Sequence, residues 1–122
     1  MTVTLANVTF DCDDALTVAT FWSAALGRPL DPDPSAWFAS IGMGDRTRES
    51  WLFAKVPEAK VAKNRVHVDL DVAPGEDPEA EIDRLVGLGA KRIADKDEYG
   101  HAWTVLQDPE GNEFCVSRVP TG

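Results

Sequence analysis

Alternation of apolar and polar side chains is sharpest over residues 65–72. Val66, Val68, Leu70 and Val72 take one parity and Arg65, His67, Asp69 and Asp71 the other, which predicts a strand with a face for a core and a face of ionisable groups. Residues 3–12 repeat the pattern, with Val8, Phe10 and Cys12 opposite Asn7, Thr9 and Asp11. After each strand the period changes. Ala15, Val18, Trp22 and Ala25 recur at helical spacing, flanked by Phe21 and Leu26, with an N-cap carboxylate at Asp13 or Asp14 and a stop at Gly27. A second helix has Asp77 as its cap, Pro78 in its first position and Ile82, Leu85, Val86 and Gly89 on its inner face, and closes near Leu88 between Gly87 and Gly89.

Between these lie further strands. Trp37 to Ile41 and Trp51 to Val56 read as a hairpin around the charged turn 42–48, and the three prolines between Arg28 and Ser35 leave room for one short edge strand. Lys91 to Ala94, Trp103 to Gln107 and Phe114 to Arg118 complete the set, the last two joined by the turn residues Asp108-Pro109-Glu110-Gly111-Asn112. Both halves thus run strand, capped helix, then two or three strands, an architectural repeat of about sixty residues in which Asn7 and His67 open the matching strands. The expected fold is α+β, a single domain over 1–122 made of two βαβββ modules, about 1–58 and 64–119. Their curved mixed sheets form a cup, with helices on the convex side and the polar parities inside.

Composition narrows the function. With 122 residues, 43% of them hydrophobic, the chain can bury a core without disulfides, and Cys12 and Cys115 alone make no disulfide framework. No apolar run spans a membrane and the start has no signal-like segment, so a cytoplasmic protein is expected. Twelve basic against twenty-one acidic side chains, a net charge of −9, leave no basic stripe for nucleic acid.

Three groups could carry chemistry. His67 can hydrogen-bond Asp69, Asn7 or a backbone carbonyl, act as a general acid/base, or ligate a metal. Asp11 and Asp69 occupy like places in the two halves, and two carboxylates facing one cup could shuttle a proton. Trp37, Trp51 and Trp103 on curved sheets could wall a cavity for a planar ligand, whereas Trp22 belongs to the core. There is no glycine-rich phosphate cradle and no serine elbow, and Cys115 with His67 is the one Cys–His pair worth testing.

The ordered set Phe21-Trp22-Ser23-Ala24-Ala25-Leu26-Gly27, Lys63-Asn64-Arg65-Val66-His67-Val68-Asp69, Leu88-Gly89-Ala90 and Asp108 to Cys115 resembles the vicinal oxygen chelate superfamily of glyoxalase, bleomycin-resistance and extradiol-dioxygenase-like proteins. The small, single-domain glyoxalase-like branch is the most similar. The resemblance implies a homodimer. It also implies metal positions at Asn7, His67 and Cys115, of which only His67 is a conventional ligand, so no metal or other cofactor is expected. Two functions follow from it. One is metal-independent binding or sequestration of a planar or aromatic compound by Asn7, Thr9, Asp11, Trp37, Trp51, Trp103 and Cys115. The other is a lyase- or isomerase-type enzyme using His67 and Asp69, with or without a divalent ion.

Overall fold

A carboxylate that reaches back to a free amide sets the start of the first helix. In the computed structural model, which describes residues 2–119, Asp14 is extended and its Oδ1 accepts from the Thr17 N–H at 3.2 Å, so α1 runs Ala15–Leu26. Gly27 ends it in the left-handed region, φ 66°, where a side chain would be strained. Ala15, Val18, Ala19, Phe21 and Trp22 are its buried stripe. Residues 1 and 120–122 of the expected domain lie outside the described residues.

Backbone contacts divide the chain after Val61 into two compact units. In the first, β1 (Asn7–Cys12) lies parallel to β3 (Ser50–Lys55), which pairs antiparallel with β2 (Phe38–Ile41) in the order β1-β3-β2. β1 is shorter than the expected 3–12 because its partner begins at Ser50, whose N–H reaches back only to the Ala6 carbonyl. The proline stretch yields a single bridge, Leu30 to Ile41, since proline has no N–H to extend a ladder. α1 packs against β2 and β3. The rings of Phe10, Trp22, Trp51 and Phe53 meet in the core at centroid distances of 5.2–5.9 Å.

The second unit contains β4 (Asp69–Leu70), α2 (Pro78–Gly87), β5 (Lys91–Glu98), β6 (His101–Gln107) and β7 (Glu113–Ser117), in the sheet order β4-β7-β6-β5. Its pairing repeats that of the first unit: the opening strand is parallel to the last, and the last is antiparallel to the one before it. The α+β class and the strand–helix–strands order of both modules are as expected.

In this second unit two strands differ from expectation. The strand predicted over 65–72 is a two-residue ladder, because Asn64 supplies the next rung from its side chain: Oδ1 accepts from the Glu113 N–H at 2.8 Å, and Nδ2 donates to the Glu113 carbonyl at 3.1 Å and the Val66 carbonyl at 2.9 Å. Val66 is consequently 85% exposed, while Val72 is buried as its parity requires. β5, in contrast, extends four residues past Ala94. Tyr99 and Gly100, at φ 54° and 78°, form a tight turn whose twist suits the hairpin and carries the charged run Asp95–Glu98 alongside β6. α2 buries Pro78, Ile82 and Leu85 and packs on β7; Val86, expected on the inner face, is 42% exposed. Among the described residues no helix is long and apolar enough to cross a membrane.

Candidate functional site

One face of the second sheet is built from alternate residues of three neighbouring strands. His67, Asp69 and Asp71 come from β4 and its flanks, Glu113, Cys115 and Ser117 from β7, and His101, Trp103 and Val105 from β6. The register places Asp69 and Val105 on either side of Cys115, and Trp103 beside Ser117. These side chains line a cavity of about 790 Å³, with Glu98, Tyr99 and Gly100 of the β5–β6 turn at its rim. The parity read from the sequence thus carries the site within this module.

His67 Nδ1 lies 3.0 Å from Asp69 Oδ1, with side-chain exposures of 43% and 71%. An imidazole that donates from Nδ1 to a carboxylate keeps its lone pair on Nε2, the form a general base needs. Cys115 Sγ stands 4.0 Å from the same nitrogen. Burial, reinforced by the Asp69 carboxylate, pushes the Cys115 thiol up to about 11, so at neutral pH it is a thiol, neither a nucleophile nor a hard ligand.

The remaining candidates belong to the first unit. Asn7, Thr9 and Asp11 hold the exposed parity of β1, with Asn7 Nδ2 donating to Thr9 Oγ1 at 2.9 Å. Trp51 is a correction to the expected aromatic wall: it is buried against Phe10 and Trp22, and its Nε1 donates to Glu49 at 3.3 Å. Trp37 is 72% exposed, with the Lys55 ammonium 5.6 Å from its ring centroid. Of the three tryptophans only Trp103 lines the cavity. Glu113 and Tyr99 were not singled out from sequence. Glu113 shares a parity with Cys115 and could have been found from it, whereas Tyr99 is placed by a hairpin longer than the pattern showed.

A hard divalent ion of the kind implied by the resemblance does not suit these residues. Asn7, whose Nδ2 donates to Thr9, has only a neutral amide oxygen to offer, and a sulfur stands where a carboxylate would be wanted. Asp69 does bring an oxygen within the cluster, so that the ligand atoms of His67, Asp69 and Cys115 all lie within 4.8 Å of one another. A set of one nitrogen, one oxygen and one sulfur suits zinc better than magnesium or manganese.

A family profile for a glyoxalase-like domain matches residues 7–117. The chain belongs to this family. Among solved structures, this glyoxalase-like chain is similar to a glyoxalase/bleomycin resistance protein/dioxygenase family enzyme from Burkholderia phytofirmans PsJN, with 19% identity, TM-score 0.75 and coverage of 94% of this chain and 98% of that one. The fosfomycin resistance protein FosX from Mesorhizobium loti gives 13% identity, TM-score 0.72 and coverage of 96% and 92%. A lactoylglutathione lyase from Agrobacterium tumefaciens gives 13% identity, TM-score 0.64 and coverage of 93% and 92%. No curated protein sequence matches. At these identities the likeness establishes the vicinal oxygen chelate fold and leaves the chemistry to the residues.

Proposed function

We propose that this glyoxalase-like chain binds a small planar organic molecule on the open sheet face of its second module, without needing a metal ion. The observation that carries this reading is the cavity itself. Its volume of about 790 Å³ is that of a small-molecule site, and it joins the faces of Trp103 and Val105 to the polar His67, Asp69 and Glu113. The protonated Cys115 thiol adds a soft, weakly polar patch to the wall. In a screen of planar aromatic compounds followed by calorimetry, ligands bind in the micromolar range, and Trp103→Ala weakens them about three- to tenfold by removing a stacking face. Trp51→Ala, in contrast, lowers stability. Failure of every planar compound to bind at millimolar concentration would end the reading.

The His67–Asp69 contact supports a second reading, an enzyme of lyase or isomerase type in which His67 takes a proton and Asp69 orients it. That reading predicts turnover that His67→Asn abolishes and Asp69→Asn reduces. Its metal-assisted form predicts close to one equivalent of zinc in protein purified without chelator or affinity metal, lost in Cys115→Ser. Less than about a tenth of an equivalent removes the metal-assisted form. A homodimer and a cytoplasmic setting belong to the same proposal; sedimentation at micromolar concentration tests the dimer.

A further inference from the structure

The cavity of the second module is unevenly charged. Asp69, Asp71, Glu98 and Glu113 line it, and Lys63 is its one permanently cationic side chain. His67 already engages Asp69. Glu113 is the informative member. Asn64 grips both the N–H and the carbonyl of its backbone, which fixes the root of the side chain. Its Oε2 is closed off from water and has no hydrogen-bond partner among the described residues. No described residue places a donor on that oxygen, so the negative charge of this carboxylate is available to balance a cation in the cavity.

The aromatic walls point the same way. Trp103 lies on the cavity face of β6, and Tyr99, at the tip of the β5–β6 hairpin, is 96% exposed and so packs on almost nothing in the free protein. Aromatic faces and carboxylates both attract cations, and together they disfavour an anionic ligand.

We infer that the site selects an aromatic molecule bearing a protonated nitrogen, with the ring on Trp103 and the nitrogen directed to the Glu113 carboxylate. This rests on the small-molecule reading above and names its ligand class. The test compares three probes of one shape, naphthylmethylammonium, naphthylmethanol and naphthoate, titrated calorimetrically into the full chain at about pH 8, where ordinary imidazoles are neutral. The ammonium compound should bind about tenfold or more tighter than the alcohol, naphthoate should bind most weakly, and the advantage of the cation should shrink as salt is raised.

Glu113→Gln should remove most of that advantage, read as a ratio of ammonium to alcohol affinity that falls toward one. Glu98→Gln, on the exposed hairpin where folding is not at stake, should remove a smaller part. Equal binding of ammonium and alcohol, or tightest binding by naphthoate, overturns the charge selection while the binding reading stands. Binding of none of the three at millimolar concentration overturns both.

Discussion

Asp108 shows how much a single buried carboxylate can organise. It is 3% exposed, its Oδ1 accepts from the Glu110 and Asn112 N–H groups at 2.9 and 3.0 Å, and its Oδ2 accepts from the Asn112 side chain at 3.0 Å. The turn it closes delivers Glu113 and Cys115 to the cavity face of β7. Asp108→Ala leaves those donors inside without an acceptor and is expected to cost roughly 2–3 kcal/mol, measured as a lower denaturant midpoint at unchanged slope. Asp108→Asn, which keeps one acceptor, should cost less. At this scale the sequence was a good guide to residue type and a poor one to distance. The His67–Asp69 pairing was among the contacts open to that imidazole, and Cys115 was placed beside it, whereas Trp51, expected in an aromatic wall, is buried in the core of the first unit. Nothing in a strand pattern separates a tryptophan that faces a ligand from one that stacks on a helix residue. Trp51 does the latter, on Trp22, at 5.3 Å.

The elements were legible wherever a periodic face and a cap agreed. α1 starts at a carboxylate and stops at a glycine within a residue of expectation, and α2 has its proline in the first turn. Strand lengths were less legible because they depend on the partner. Here the segment 65–72 is instructive. Its alternation is real, yet the ladder covers only Asp69 and Leu70, and Asn64 replaces the missing rung with a side-chain amide that both donates and accepts. A primary amide is the side chain that imitates a peptide group in this way. Asn64→Ala is therefore expected to free the segment carrying His67 from β7. Hydrogen exchange at the Glu113 amide should quicken by about an order of magnitude or more, for a global cost of roughly 1–3 kcal/mol. Asn64→Asp, which accepts but cannot donate, should restore protection of that amide only in part. Unchanged exchange at Glu113 in Asn64→Ala would mean that the side-chain rung holds nothing.

For the chain as a whole, the architectural repeat foretold two modules with the same order of elements, and no letter-by-letter similarity was needed to see it; that they also share a pairing order is added by the structure. What it could not foretell is how the charges are spent. Several of the twenty-one acidic side chains are committed to local donors that hold their carboxyls below the usual range: Asp31 by the Met43 amide, the Ser40 hydroxyl and the Gly42 amide, Glu49 by its own backbone amide and Trp51, Glu79 by Arg92, and Asp95 by Thr104 and Arg92. A carboxyl with a depressed folded value binds its proton more weakly folded than unfolded. Its contribution is complete above the ordinary carboxylate range of about 4 and is lost as the pH falls through the folded values. Cys115 has the opposite sign. Raised from 9.0 to about 11 by burial and by Asp69, it holds its proton more firmly when folded, so its contribution is complete below 9 and is lost as the pH climbs toward 11. Stability should therefore form a plateau with an acid shoulder shared by many residues and an alkaline shoulder to which Cys115 contributes. Urea midpoints measured across this range should decline on both sides in the native chain. In Cys115→Ala the decline between about pH 9 and 10.5 should flatten while the acid side is unchanged. Asp31→Asn should soften only the acid side. An alkaline decline identical in the native chain and Cys115→Ala would show that the thiol is not buried beside Asp69, and the wall of the cavity would have to be redrawn.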